Sequence, residues 1–160
     1  MEAYGGADCR EVAKGLEAAR KSDPEDEWVA RETAWIHADF FAKDCPAEFR
    51  SDFALQLARQ VATGDPTVPE FHETLGLVLY RKGALDQARR ELQEAIRLYP
   101  QPSASALFSL AMTCRRLGLP GEARSAYERA VSRQRATYPK DPRLIRAELE
   151  ASHLLGVQVR

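Results

Sequence analysis

The 160-residue chain is long enough for one compact domain with a hydrophobic core and too short for two ordinary ones. Its 44% hydrophobic and 29% charged residues exclude a disordered chain, and a formal net charge of −1 excludes a nucleic-acid binder that works through bulk positive charge. The near-zero sum hides a division: residues 1–80 carry 8 Lys and Arg against 16 Asp and Glu, a net of −8, whereas residues 81–160 carry 15 against 8, a net of +7.

Alanine occurs 25 times and leucine 17, while Val, Ile and Thr are scattered singly, a composition that favours helix over sheet. Pro, Gly and Asp breakers at regular intervals predict eight helices, in order at 8–21, 24–43, 50–63, 68–82, 85–98, 104–117, 120–136 and 142–155. Asp23 with Pro24 is expected to open the second, a capping box of Thr67 and Glu70 the fourth, and Asp141 with Pro142 the last. Every connection is short, so neighbouring helices should run antiparallel as a string of hairpins.

No stretch approaches the roughly 18 consecutive apolar residues of a membrane span. The first 25 residues hold six acids and no apolar run, unlike a signal peptide. The expectation is a cytoplasmic protein with no membrane association. Cys9, Cys45 and Cys114, odd in number and far apart, are expected to be reduced thiols.

The chain is similar to itself at a shift of 35 residues. His72, Leu75, Gly76, Leu79, Gly83, Ala88, Leu92 and Ala95 map onto Leu107, Leu110, Ala111, Cys114, Gly118, Ala123, Tyr127 and Ala130. Large residues meet large ones and small ones meet small. A shift of 34 backward carries Ala88, Leu92, Ala95 and Pro100 onto Ala54, Ala58, Val61 and Pro66, a third and divergent copy. The small positions allow close helix approach and the large ones fill the space between; one such hairpin cannot bury its apolar face, and stacking makes the core continuous.

At these residues the chain resembles the tetratricopeptide repeat, a helix-turn-helix unit of about 34 residues. The resemblance implies an all-α, right-handed solenoid of helical hairpins with about eight helices. It divides the chain into a flanking helix at 1–22, a divergent hairpin at 23–66, repeats at 67–102 and 103–138, and a capping helix at 139–155. It also implies that the first helix of each hairpin lines a concave groove. There the candidate partner-binding residues are Glu73, Leu77, Tyr80, Arg81, Phe108, Met112, Arg115 and Arg116. Arg81-Lys82 and Arg115-Arg116 stand in register, as a positive stripe or as cations complementing helix C-termini.

No His-Glu-x-x-His, Cys-x-x-Cys or phosphate-loop pattern occurs, so no metal, cofactor or catalytic residue is expected. His37 with Asp39 and Asp44 is the most chemical-looking cluster, yet these residues fall on different faces of one helix. The cations of the basic half alternate with Glu91, Glu94 and Glu128 on outward faces, which suits solvated pairing better than RNA. The expected function is to hold a peptide or partner helix without catalysis. The alternative is a structural arm of a larger bacterial assembly, self-associating in a salt-sensitive way through its acidic and basic halves.

Overall fold

The computed structural model describes residues 8–45 and 50–159. Among the described residues eight helices follow one another: α1 Cys9–Ser22, α2 Glu27–Ile36, α3 Ser51–Gly64, α4 Pro69–Lys82, α5 Leu85–Leu98, α6 Ala104–Arg116, α7 Pro120–Thr137 and α8 Pro142–Leu155. Beyond Ile36, α2 continues through a π turn, His37–Phe41, and a last α turn, Ala42–Asp44. No strand occurs among the described residues.

Two expected helix starts are corrected. The Asp23 backbone N–H closes α1 on the carbonyl of Ala19. Asp26 instead caps α2, its carboxylate accepting from the N–H groups of Trp28 and Val29. Thr67 is engaged with Asp65, whose Oδ1 accepts both its N–H and its hydroxyl, so no capping box forms with Glu70. Helix α4 opens on Pro69, which has no N–H to satisfy. Asp141 caps α8 as expected, accepting from the Arg143 N–H with Pro142 in the first turn.

The most extensively packed pairs are α4 with α5 and α6 with α7, the two hairpins of clear repeat pattern. Their axes approach closely because the contact positions are small: Ala88, Ala95, Ala111, Ala123 and Ala130 are fully buried. A β-carbon on Gly76 would stand 2.5 Å from Cγ of Leu92, itself fully buried, so only hydrogen fits there. Inner helices α4 and α6 are buried nearly all round, whereas outer helix α5 buries only Ala88, Leu92 and Ala95. The inner helices are enclosed by neighbouring hairpins and an outer helix, while the outer ones turn a charged face to water.

The thiol expectation is overturned for two of the three cysteines. Cys9 at the start of α1 and Cys45 just after α2 form a disulfide, with Cα atoms 6.0 Å apart. Their separation of 36 residues concealed a proximity that arises when α1 folds back along α2. Cys114 is a buried free thiol. Reduced cysteines therefore no longer argue for a reducing compartment.

Candidate functional site

Inner helices α2, α4, α6 and α8 surround a cleft of about 590 Å³. Its apolar floor includes Leu77, Met112 and Ala147, one from each of three successive inner helices and spaced 35 residues apart. Leu77 and Met112 stand at the same turn of their helices, so the repeat itself builds that part of the floor, and Ala147 extends it one turn nearer the start of α8.

One side of the cleft is closed by ions. Both terminal nitrogens of Arg81 grip the carboxylate of Glu150 on α8, and its Nε donates to the carbonyl of Ala38 at 2.9 Å. Lys43 joins Glu150 at 2.7 Å and Asp39 at 2.9 Å, and Arg146 pairs with Asp44 nearby. This clasp ties the end of α2 to α8, about a hundred residues later in the chain. Burial opposes ionisation of Glu150, but Arg81 and Lys43 outweigh it and bring its pKa down to about 2.

The opposite wall carries Glu73, buried on α4. Its Oε2 accepts from the hydroxyls of Tyr99 and Ser103, each at 2.8 Å. Burial, reinforced by Glu73, raises the pKa of the Tyr99 hydroxyl and keeps it a donor. Arg31 lies over the Trp35 ring, 5.1 Å from its centroid, and donates through Nε to Thr74. Tyr138, 63% exposed, and Arg143 stand in the lining beside Leu144.

Of the eight residues expected in the groove, Glu73, Leu77, Arg81 and Met112 line the cleft, and the other four do not. Phe108 is a correction: it is fully buried and packs edge-on to Tyr127, 5.9 Å between centroids, because the position faces α7. Tyr80 is buried with the guanidinium groups of Arg81 and Arg116 at its ring, 5.2 and 5.0 Å away. Arg116 also donates to the carbonyl of Tyr80, and Arg115 to that of Leu154. The positive stripe is therefore divided, with Arg81 turned into the clasp and Arg115 and Arg116 onto backbone carbonyls.

Sequence reasoning missed Arg31, Trp35, Lys43, Tyr99, Tyr138 and Glu150. Extending the 35-residue register one step beyond Arg115 reaches Glu150 and would have placed α8 on the groove. No comparable signal marks Tyr99 or Tyr138, which follow the outer helices and reach the cleft only through the turn of the solenoid.

His37 and Asp39 are not brought together. Asp39 lines the cleft, whereas His37 is buried in a separate cavity of about 390 Å³ beneath α1, edge-on to Phe53 and accepting from the Arg50 N–H through Nδ1. Burial first, and the Arg50 charge second, lower its pKa to about 4. Among the described residues, no group of three or more His, Cys, Asp or Glu side chains is placed to hold a metal ion.

A family model described as the tetratricopeptide repeat matches residues 51–101 and 73–142, more than half of the chain. The chain belongs to the tetratricopeptide repeat family. As in the tetratricopeptide solenoid, the hairpins wind into a right-handed superhelix whose inner helices face the cleft. Solved structures agree in fold. TTC0263, a thermophilic tetratricopeptide repeat protein of Thermus thermophilus, superposes with a TM-score of 0.64 at 18% identity, over 88% of this chain and 71% of that one. The crystal structure of MamA superposes with a TM-score of 0.56 at 20% identity, over 90% of this chain and 77% of that one. No curated protein matches the sequence. The tetratricopeptide fold marks the chain as a protein-protein interaction module. No helix among the described residues is long and apolar enough to cross a membrane.

Proposed function

We propose that the protein is a non-catalytic adaptor whose cleft holds a segment of a partner protein. The observation that supports this reading is the cleft's construction. Leu77, Met112 and Ala147 from three inner helices make a continuous apolar floor, between a wall with Glu73 and a wall with Arg81 and Lys43. An apolar floor between polar walls suits a chain segment that buries one face and hydrogen-bonds along its edges. Trp35, Tyr99 and Tyr138 add aromatic surface of the kind that anchors such contacts. Arg81 serves this site through the clasp, by holding α8 in place.

Site-specific photo-crosslinking in native extract tests the reading. A crosslinker at Ser105, which lines the cleft, should capture a discrete partner; one at Gln87, exposed on α5 outside it, should not. Tyr138→Ala should reduce the Ser105 adduct about tenfold, the loss of roughly 1.4 kcal/mol from one anchoring contact. Equal capture from both positions would overturn the assignment.

A further inference from the structure

Glu73 stands on the cleft face of α4 and is only 4% exposed. Its Oε2 takes the hydroxyl protons of Tyr99 and Ser103, which fills both lone pairs of that oxygen and pins the loop between α5 and α6. That structural task needs one oxygen. Among the described residues Oε1 accepts no hydrogen bond and, unlike Oε1 of Glu148, it is not sealed from the surface; it opens on the cleft that Glu73 lines. The repeat does not call for an acid at this position. One repeat later it holds Phe108, fully buried against Tyr127.

The cations of the cleft are engaged elsewhere. Arg31 is turned to Glu32 and Thr74, Lys43 and Arg81 are bound in the clasp, Arg133 donates to Gln101, and Arg143 stands by Asp141. Glu70, one turn before Glu73 and also in the lining, is likewise in no ion pair among the described residues. The lining as a whole holds as many cations as carboxylates, yet the two carboxylates near the start of α4 have no counter-ion. A carboxylate drawn out of water gains most from a cation that a ligand brings to it.

Given that the cleft is the partner site, as proposed above, we infer that it receives a lysine side chain of the partner. The ammonium lies on Oε1 of Glu73 and on Glu70, and the stem runs along Leu77, one turn further on the same face of α4. The free oxygen selects lysine over arginine. A guanidinium fork needs two parallel acceptors for its bidentate bond, and Oε2 is already taken, whereas an ammonium can point one N–H at Oε1 and another at Glu70. Leu77 selects it over a terminal ammonium, which brings no aliphatic stem of its own.

Panning phage-displayed random dodecapeptides against the whole protein, then measuring affinity for the selected peptides synthesised with blocked termini, tests the assignment. The selected sequences should share a lysine. Its replacement by norleucine, or its acetylation, should weaken binding to the parent protein about tenfold to a hundredfold, the worth of a hydrogen bond to a charged group. Arginine in its place should cost about threefold. Glu73→Gln keeps a carbonyl oxygen for Tyr99 and Ser103 and presents an amide donor where Oε1 stands, so this variant should bind the lysine and norleucine peptides alike. Tyr138→Ala should weaken both equally. Peptides that depend on Tyr138 but lose nothing with norleucine, or bind as well with arginine, overturn the lysine assignment and leave the cleft reading standing. So does a norleucine loss as large in Glu73→Gln as in the parent protein. Failure to recover any peptide that Tyr138→Ala weakens overturns the cleft reading and the lysine assignment with it. The peptide substitutions leave the protein untouched, so they decide the matter even where Glu73→Gln folds poorly.

Discussion

The two halves of the solenoid reach one architecture by different means. From α4 to α7 the hairpins are held by local fit: Gly76 admits Leu92, and Ala111 lies in the matching position one repeat later, fully buried. From α1 to α3 the repeat pattern is weak, and long-range ties compensate. The Cys9–Cys45 disulfide fixes α1, the Arg81 side chain holds the Ala38 carbonyl, and Arg146 and Glu150 on α8 grip Asp44 and Lys43. Where small and large residues alternate at the right spacing, neighbouring helices need no further instruction. Where they do not, covalent and ionic links from distant parts of the chain set the geometry.

The largest effect is expected in the repeat half. Leu92→Ala removes a fully buried side chain opposite Gly76 and should cost about 2–5 kcal/mol, read as a drop in chemical-denaturation midpoint across the whole chain. In the first half, Cys45→Ser or reduction should cost about 2–4 kcal/mol by freeing the closed loop in the unfolded chain. Hydrogen exchange should then accelerate in α1 and α2 first and leave α4–α7 largely protected. A uniform acceleration would show that the two halves do not differ as described.

Glu150→Gln attacks the tie between the halves. It leaves Arg81 and Lys43 without their shared carboxylate and should cost about 1–3 kcal/mol, less than a fully enclosed pair because the side chain keeps some exposure to water. Its signature is local: hydrogen exchange should rise at the end of α2 and along α8. In the parent protein the Glu150 contribution is present above the ordinary carboxyl range and disappears as pH falls through about 2.

The smallest effects, of opposite sign, come from two histidines. His37 is held near a pKa of about 4, so its contribution is complete above about pH 6.5 and is lost as pH falls toward 4, loosening the α1–α3 half. His72 bonds Glu91 at 2.7 Å through Nδ1 and the Pro66 carbonyl at 3.0 Å through Nε2, an arrangement that favours the imidazolium. The Glu91 bond raises its pKa against the opposing effect of burial. Its contribution is therefore complete below about pH 6.5 and is lost as pH rises through the raised value. His37→Phe and His72→Phe should flatten the acid-side and alkaline-side slopes of stability respectively; exchanged effects would refute both assignments.

Much of the fold was legible in the residues alone, because helix propensity, breakers and a 35-residue repeat are local or periodic properties of one chain. All eight helices follow from them, and so do the close contacts at Gly76, Ala88 and Ala111 and the apolar floor residues Leu77 and Met112. Tertiary structure decided what depends on winding. The superhelix brings α8 back toward the end of α2, so Arg81 enters a clasp with Glu150 where the sequence left open a positive stripe or cations complementing helix C-termini. It turns Phe108 toward Tyr127, carries Tyr99 and Tyr138 into the cleft, and sets Cys9 against Cys45. Periodicity specifies which face of each helix packs. The pairing of side chains from distant turns depends on the accumulated rotation of the whole solenoid, which no local segment encodes.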